Sequence, residues 1–110
     1  MKVAINIEYG TFSLSKKAMQ AIASRKGWQY CEGNHDTFWL KPTPNDEEQV
    51  WDTDLPRSDS DLVAVVEQLE ENSWGRYSVL KIVDVPDEVN WHIQDYDGRE
   101  WVAEDHRVWM

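Results

Sequence analysis

The pair Asp97-Gly98 constrains this chain more than any other feature, because it lies between two alternating runs, Trp91-His92-Ile93-Gln94-Asp95-Tyr96 and Arg99-Glu100-Trp101-Val102-Ala103-Glu104. A two-residue type I′ loop needs positive φ at both central positions, which Asp and Gly tolerate, so the stretch reads as a β-hairpin. The loop length then fixes the pairing: Tyr96 faces Arg99, Gln94 faces Trp101, Ile93 faces Val102 and Trp91 faces Glu104. One face of the ribbon carries Trp91, Ile93 and Val102 and reads as core. Asp95 and Glu100 near the turn read as a solvated, mildly repulsive rim. The opposite face carries His92, Gln94, Tyr96, Arg99, Trp101 and Ala103, aromatic and polar together.

The remaining segments supply the layers such a ribbon needs. Lys2 to Tyr9 alternates Val3, Ile5, Ile7 and Tyr9 against Lys2, Ala4, Asn6 and Glu8, the pattern of a half-buried strand. Ser13 or Ser15 offers an N-cap for a helix over Lys16 to Lys26, with Leu14, Ala18, Ala21 and Ile22 on its apolar face and Gly27 at C′. Trp28-Gln29-Tyr30-Cys31 and Thr37-Phe38-Trp39-Leu40-Lys41 read as a second hairpin turning at Gly33-Asn34. From Pro42 to Asp59 the chain reads as an acidic loop, with at most a helical turn starting at Asn45. Ser58 and Asp61 form a capping-box pattern ahead of a helix bearing Leu62, Val65, Val66, Leu69 and Ser73 on one face and closing at Gly75. Val79 to Val85, apolar on both faces, reads as a central strand. The tail, with Val108 and Trp109, is expected to dock.

These elements make one α+β domain spanning residues 1–110: an antiparallel sheet of four to six strands with two helices packed on one face. The chain is long enough for a single modest core. It has no apolar run near the ~20 residues a membrane span requires, and Met1 leads almost directly into a strand, so neither a span nor a signal peptide is expected. One cysteine, Cys31, excludes an internal disulfide framework and suits a reducing cytoplasm. Seven tryptophans in 110 residues exceed what one small core holds, so part of the aromatic surface should face a partner.

Charge is strongly polarised. Residues 1–27 hold five basic residues against one acid, whereas residues 28–110 hold six against twenty, for a net charge of −10. Most of the surface should repel nucleic acid, so no direct nucleic-acid binding is expected. Such acidity serves solubility, a partner with a basic surface, or imitation of a nucleic-acid backbone. Lys16 and Lys17 oppose the dipole at the start of their helix; they either face solvent or hold an anion there.

No catalytic or metal motif stands in the chain. Cys31 and His35 make one pair rather than a ligand set, and His92 with His106 lacks a metal-binding frame. Asp95-Tyr96-Asp97-Gly98 places its glycine too early for a calcium loop. A non-enzymatic protein with no cofactor and no metal is therefore expected. The face with His92, Tyr96, Arg99 and Trp101 is the sharpest candidate, because Tyr, Trp and Arg dominate binding hot spots and also stack on bases. It serves a partner or self-association into a homo-oligomer, provided that no further layer covers it.

Ile82-Val83-Asp84-Val85-Pro86-Asp87-Glu88-Val89, the segment from Tyr96 to Trp109, and Arg57-Ser58-Asp59-Ser60-Asp61-Leu62-Val63-Ala64-Val65-Val66 together resemble the C-terminal half of small uncharacterised proteins of tailed phages and prophages. The resemblance transfers no catalytic residue. It implies an accessory protein of the host cytoplasm that inhibits a host function, commonly defence. On this reading Glu47, Glu48, Asp52, Asp54, Glu70 and Glu71 steer the chain to a host protein with a basic, nucleic-acid-binding surface, while Tyr96, Arg99, Trp101, His92 and Trp51 supply contacts. The alternative is a small-ligand binder sequestering a nucleotide-like signal, with Lys16 and Lys17 on the phosphate and Tyr96 or Trp101 on the base.

Overall fold

The computed structural model describes residues 1–104. In chain order the elements are β1 (Lys2–Asn6), α1 (Lys16–Lys26), β2 (Gln29–Glu32), β3 (Thr37–Pro42), β4 (Glu47–Val50), α2 (Ser60–Leu69), β5 (Leu80–Asp84), β6 (Trp91–Tyr96) and β7 (Arg99–Glu104), with short 3₁₀ turns at Asp52–Asp54 and Glu70–Ser73. The α+β class holds: the described residues form two helices and seven strands in antiparallel ladders. The strands divide into β1-β5, β2-β3-β4 and β6-β7.

The two helices form the middle layer. Ser15 caps α1 through its hydroxyl, which accepts from the Ala18 amide, and Gly27 ends it in the left-handed conformation at φ 72°. α1 buries Ala18, Met19, Ile22 and Ala23. On this side stands Trp39, fully buried, its indole Nε1 donating to the Met19 carbonyl at 2.8 Å and its ring edge-on to Trp28. α2 buries Leu62, Val63, Val65 and Val66 and packs against α1, β1 and β5.

The β1-β5 ladder pairs Val3 with Val83, Ala4 with Ile82 and Ile5 with Lys81. Both of its faces are covered. Ala4, Leu80 and Ile82 join the main core with the helices, while Val3, Ile5, Val83 and Val85 form a second core with Trp91, Ile93 and Val102 of the β6-β7 hairpin. β1 is accordingly buried on both sides from Val3 to Asn6, not half-buried, because the hairpin supplies the second cover. The same packing corrects the placement of β5. Its two apolar faces are real, yet among the described residues it pairs with β1 alone and owes its burial to layers above and below.

Local reading failed at three further points. The segment after Pro42 is not a loop throughout: Thr43 and Asp46 close a turn, and Glu47–Val50 adds β4 to β3, with Lys41 opposite Glu48. A strand of Glu-Glu-Gln-Val has little intrinsic β preference and is tolerated at a solvated edge. The N-cap of α2 is Asp59 rather than Ser58; its carboxylate accepts from the Asp61 and Leu62 amides at 3.0 and 2.9 Å. The α-helix ends at Leu69 rather than at Gly75, because Glu70 takes φ 52° and turns the backbone into the 3₁₀ segment. The Gly75 amide instead donates to the Ser13 carbonyl. The expected docking of Val108 and Trp109 lies outside the described residues.

Candidate functional site

The β6-β7 hairpin has the register its turn dictates, from Tyr96 opposite Arg99 to Trp91 opposite Glu104. Asp97 and Gly98 take φ 50° and 84°. Trp91, Ile93 and Val102 cover the outer face of β1-β5, and the opposite hairpin face has no covering layer among the described residues. Tyr96 is 66% and Trp101 42% exposed, with His92, Gln94 and Arg99 also exposed. Along that face the Trp101 indole donates to Gln94 Oε1 at 3.1 Å, and Gln94 Nε2 lies 3.0 Å from His92 Nε2.

The hairpin does not cover all of the β1-β5 face. Near its turn a groove of about 390 Å³ remains, floored by Ile5, Ile7 and Val83 and walled by Tyr9, Lys81, Tyr96, Arg99 and Trp101. Tyr9 is 60% exposed, and the Arg99 guanidinium stands 6.0 Å from its ring centre. Three exposed aromatic rings and two cations thus converge on an apolar floor. Lys81 and Arg99 have no carboxylate within ion-pair distance among the described residues.

Glu100 also borders the groove, but it is not the solvated rim its position beside Asp95 suggested. It is 8% exposed; its Oε1 accepts from the Asn6 amide at 2.8 Å and from Arg57 Nη1. The Arg57 guanidinium lies 3.6 Å from the centre of the Phe12 ring. Asn6, fully buried, donates from Nδ2 to the carbonyls of Glu8 and Gly98 and accepts the Val79 amide on Oδ1. These contacts hold the turn end of the hairpin in place and so set the width of the groove.

The other candidate residues stand elsewhere. Trp51 is half-buried with its ring 5.5 Å from that of Phe38. Glu47 and Glu48 are exposed on β4, a strand that packs on β3 and contributes nothing to the groove walls. Glu70 and Glu71 are exposed at the end of α2. Asp54 is exposed and accepts the Trp51 amide at 2.9 Å. Asp52 is a structural group rather than a free surface acid: it accepts the Leu14 and Thr53 amides, and burial pushes its carboxyl above the ordinary range against the opposing pull of those bonds. The acidic residues and the aromatic face therefore do not form one continuous surface.

Lys16 lies in a separate groove with Ser15, His35, Trp74 and Arg76 and faces Glu32 at 3.6 Å. The Tyr30 hydroxyl, donating to Glu32, and then Lys16 hold the Glu32 carboxyl below its usual range. Lys17 is exposed. Sharing one ligand between these lysines and Tyr96 or Trp101 is not supported by this placement. Sequence reasoning missed Tyr9, Lys81 and Arg57. Tyr9 was legible as the next member of the Val3-Ile5-Ile7 face, but only the Ile5-Lys81 register brings Lys81 beside it.

Among the described residues no three of His, Cys, Asp and Glu are grouped so as to hold a metal ion. No helix among them is long and apolar enough to cross a membrane. No family model, curated protein or solved structure matches the chain.

Proposed function

We propose that this chain is a non-catalytic binding protein that inhibits a host protein, as its resemblance to phage accessory proteins implies, and that its working surface is the groove beside the β6-β7 turn. One observation carries the reading: Tyr9, Tyr96, Trp101 and Arg99 border a single open groove instead of filling a core. Aromatic and arginine side chains clustered around a concave apolar floor are the groups that dominate binding energy when a partner desolvates them. His92 and Gln94 extend the face as polar rim. The acids on β4 and at the end of α2 act at a distance, steering the chain towards a basic surface and raising the association rate.

The test is a tagged pull-down from nuclease-treated bacterial lysate, run with the wild type and with the Tyr96→Ala, Trp101→Ala double variant. The reading requires one stoichiometric protein that the wild type retains and the variant loses. A protein retained equally by both would place the contact elsewhere, and retention of none would remove the protein partner.

A further inference from the structure

We infer that the groove beside the hairpin turn is itself a binding site for a small anion that carries a planar base, of the nucleoside monophosphate class, independent of the adjacent lysines of α1. The inference rests on reading this groove as the working surface and goes beyond it by naming the chemistry that fits inside. A protein partner could lie across the open face, whereas the groove has the dimensions of a small-molecule site: its volume of about 390 Å³ falls within the roughly 300–1,000 Å³ of pockets that enclose small ligands.

Charge and shape point to the same class. The chain carries a net charge of −10, and its acids compensate many of its bases: Lys2, Lys16, Arg25, Lys26 and Arg57 each face a carboxylate. Among the described residues Lys81 and Arg99 do not, although both reach the same groove. Two uncompensated cations on one small concavity favour an anion, and a guanidinium offers the fork of donors that suits a phosphate. Glu100 offers that anion little opposition, since its charge is already engaged by Arg57 and the Asn6 amide. Tyr9, Tyr96 and Trp101 line the groove with exposed aromatic rings, the side-chain type on which any base can stack, and Ile5, Ile7 and Val83 supply an apolar floor. Inorganic phosphate alone would leave this aromatic wall unused, and an uncharged ring would leave the cations unused. The long-range field of an acidic chain opposes an anion, but it is screened beyond about 8 Å at physiological salt, so contact groups govern the outcome.

Equilibrium dialysis of the purified full chain with AMP, GMP, CMP and UMP, beside adenosine and inorganic phosphate, tests the assignment. At least one of the four nucleotides should bind with Kd below about 1 mM, more tightly than phosphate or adenosine. Lys81→Ala and Arg99→Ala should each weaken it about tenfold, and Tyr96→Ala comparably, while the Lys16→Ala, Lys17→Ala pair leaves it unchanged. Both cations are exposed, so circular dichroism should show the variants folded; Lys81→Gln and Arg99→Gln serve as more conservative controls. Binding by none of the four, or affinity indifferent to Lys81 and Arg99, overturns the inference. A pull-down partner found without nucleotide binding would sink this inference alone. Nucleotide binding without a captured protein would sink the protein-partner reading and leave this one standing.

Discussion

Arg57 and Glu100, 43 positions apart, form an ion pair whose side chains are only 17% and 8% exposed, and it ties the segment before α2 to the strand that walls the groove. The pair is anchored at both ends, by Phe12 beneath the guanidinium and by the Asn6 amide on the carboxylate. Removing one partner leaves the other charged and buried, which costs about 3–5 kcal/mol. Arg57→Met and Glu100→Gln should each lower stability on that scale in urea unfolding. The double variant should lose less than the two added, because neither stranded charge then remains. Additive losses would show that the pair does not act as a unit.

Gly98 meets Gly10 where the hairpin turn docks. The Gly10 amide donates to the Asp97 carbonyl at 2.9 Å, and a Cβ at Gly98 would collide with the Gly10 carbonyl. Gly98 also takes φ 84°, where a side chain is strained by about 1 kcal/mol before any clash. Gly98→Ala should therefore undock the turn locally. Hydrogen exchange should speed up at the β6 and β7 amides while α1 and α2 keep their protection; uniform loss across the chain would contradict this.

The junction of the two helices carries the clearest pH dependence. Lys26 reaches Asp59 at 2.7 Å and Asp61 at 2.9 Å, and Arg25 reaches Asp61 at 3.0 Å. Lys26 first, opposed by partial burial and joined by Arg25, holds the Asp61 carboxyl below its ordinary 3.8. A carboxyl depressed on folding stabilises the protein fully above its unfolded pKa; that contribution is lost as pH falls through the lower, folded value. Lys26→Met should return the Asp61 titration, read by NMR, upward towards 3.8. It should also flatten the fall in stability below that pH. An unmoved titration would refute the assignment.

Trp39 is fully buried, and its indole nitrogen has one partner, the Met19 carbonyl. Trp39→Phe removes that bond and leaves space beside Trp28, so thermal or urea unfolding should show a loss of about 2 kcal/mol. A change within about 0.5 kcal/mol would mean that the pocket refills.

The separation of acids from groove predicts a kinetic signature for the proposed partner complex. Glu47→Lys with Glu48→Lys should slow association, most visibly at low salt, and leave dissociation nearly unchanged. Tyr96→Ala should do the reverse, speeding dissociation with little effect on association. Equal changes in both rates from the acidic variants would place those residues inside the contact instead.

The sequence alone determined the features that depend on near neighbours. The Asp97-Gly98 loop, the register it imposes and the Gly27 end of α1 follow from backbone sterics and local hydrogen bonds, which operate within a few residues, whereas the sequence offered Ser13 or Ser15 as the cap and the structure chose Ser15. The open aromatic face was legible for the same reason, since strand alternation assigns Tyr96 and Trp101 to the side opposite Ile93 and Val102. Tertiary structure decided what lies across each face. Glu100 beside Asp95 reads as solvated rim until Arg57 arrives from 43 positions away, and Glu47–Val50 reads as loop until β3 offers its edge. Lys81 belongs to the groove only because β5 pairs with β1 at Ile5. Burial, ion pairing and concavity are properties of contacts between distant segments, and those contacts form only when the whole chain packs.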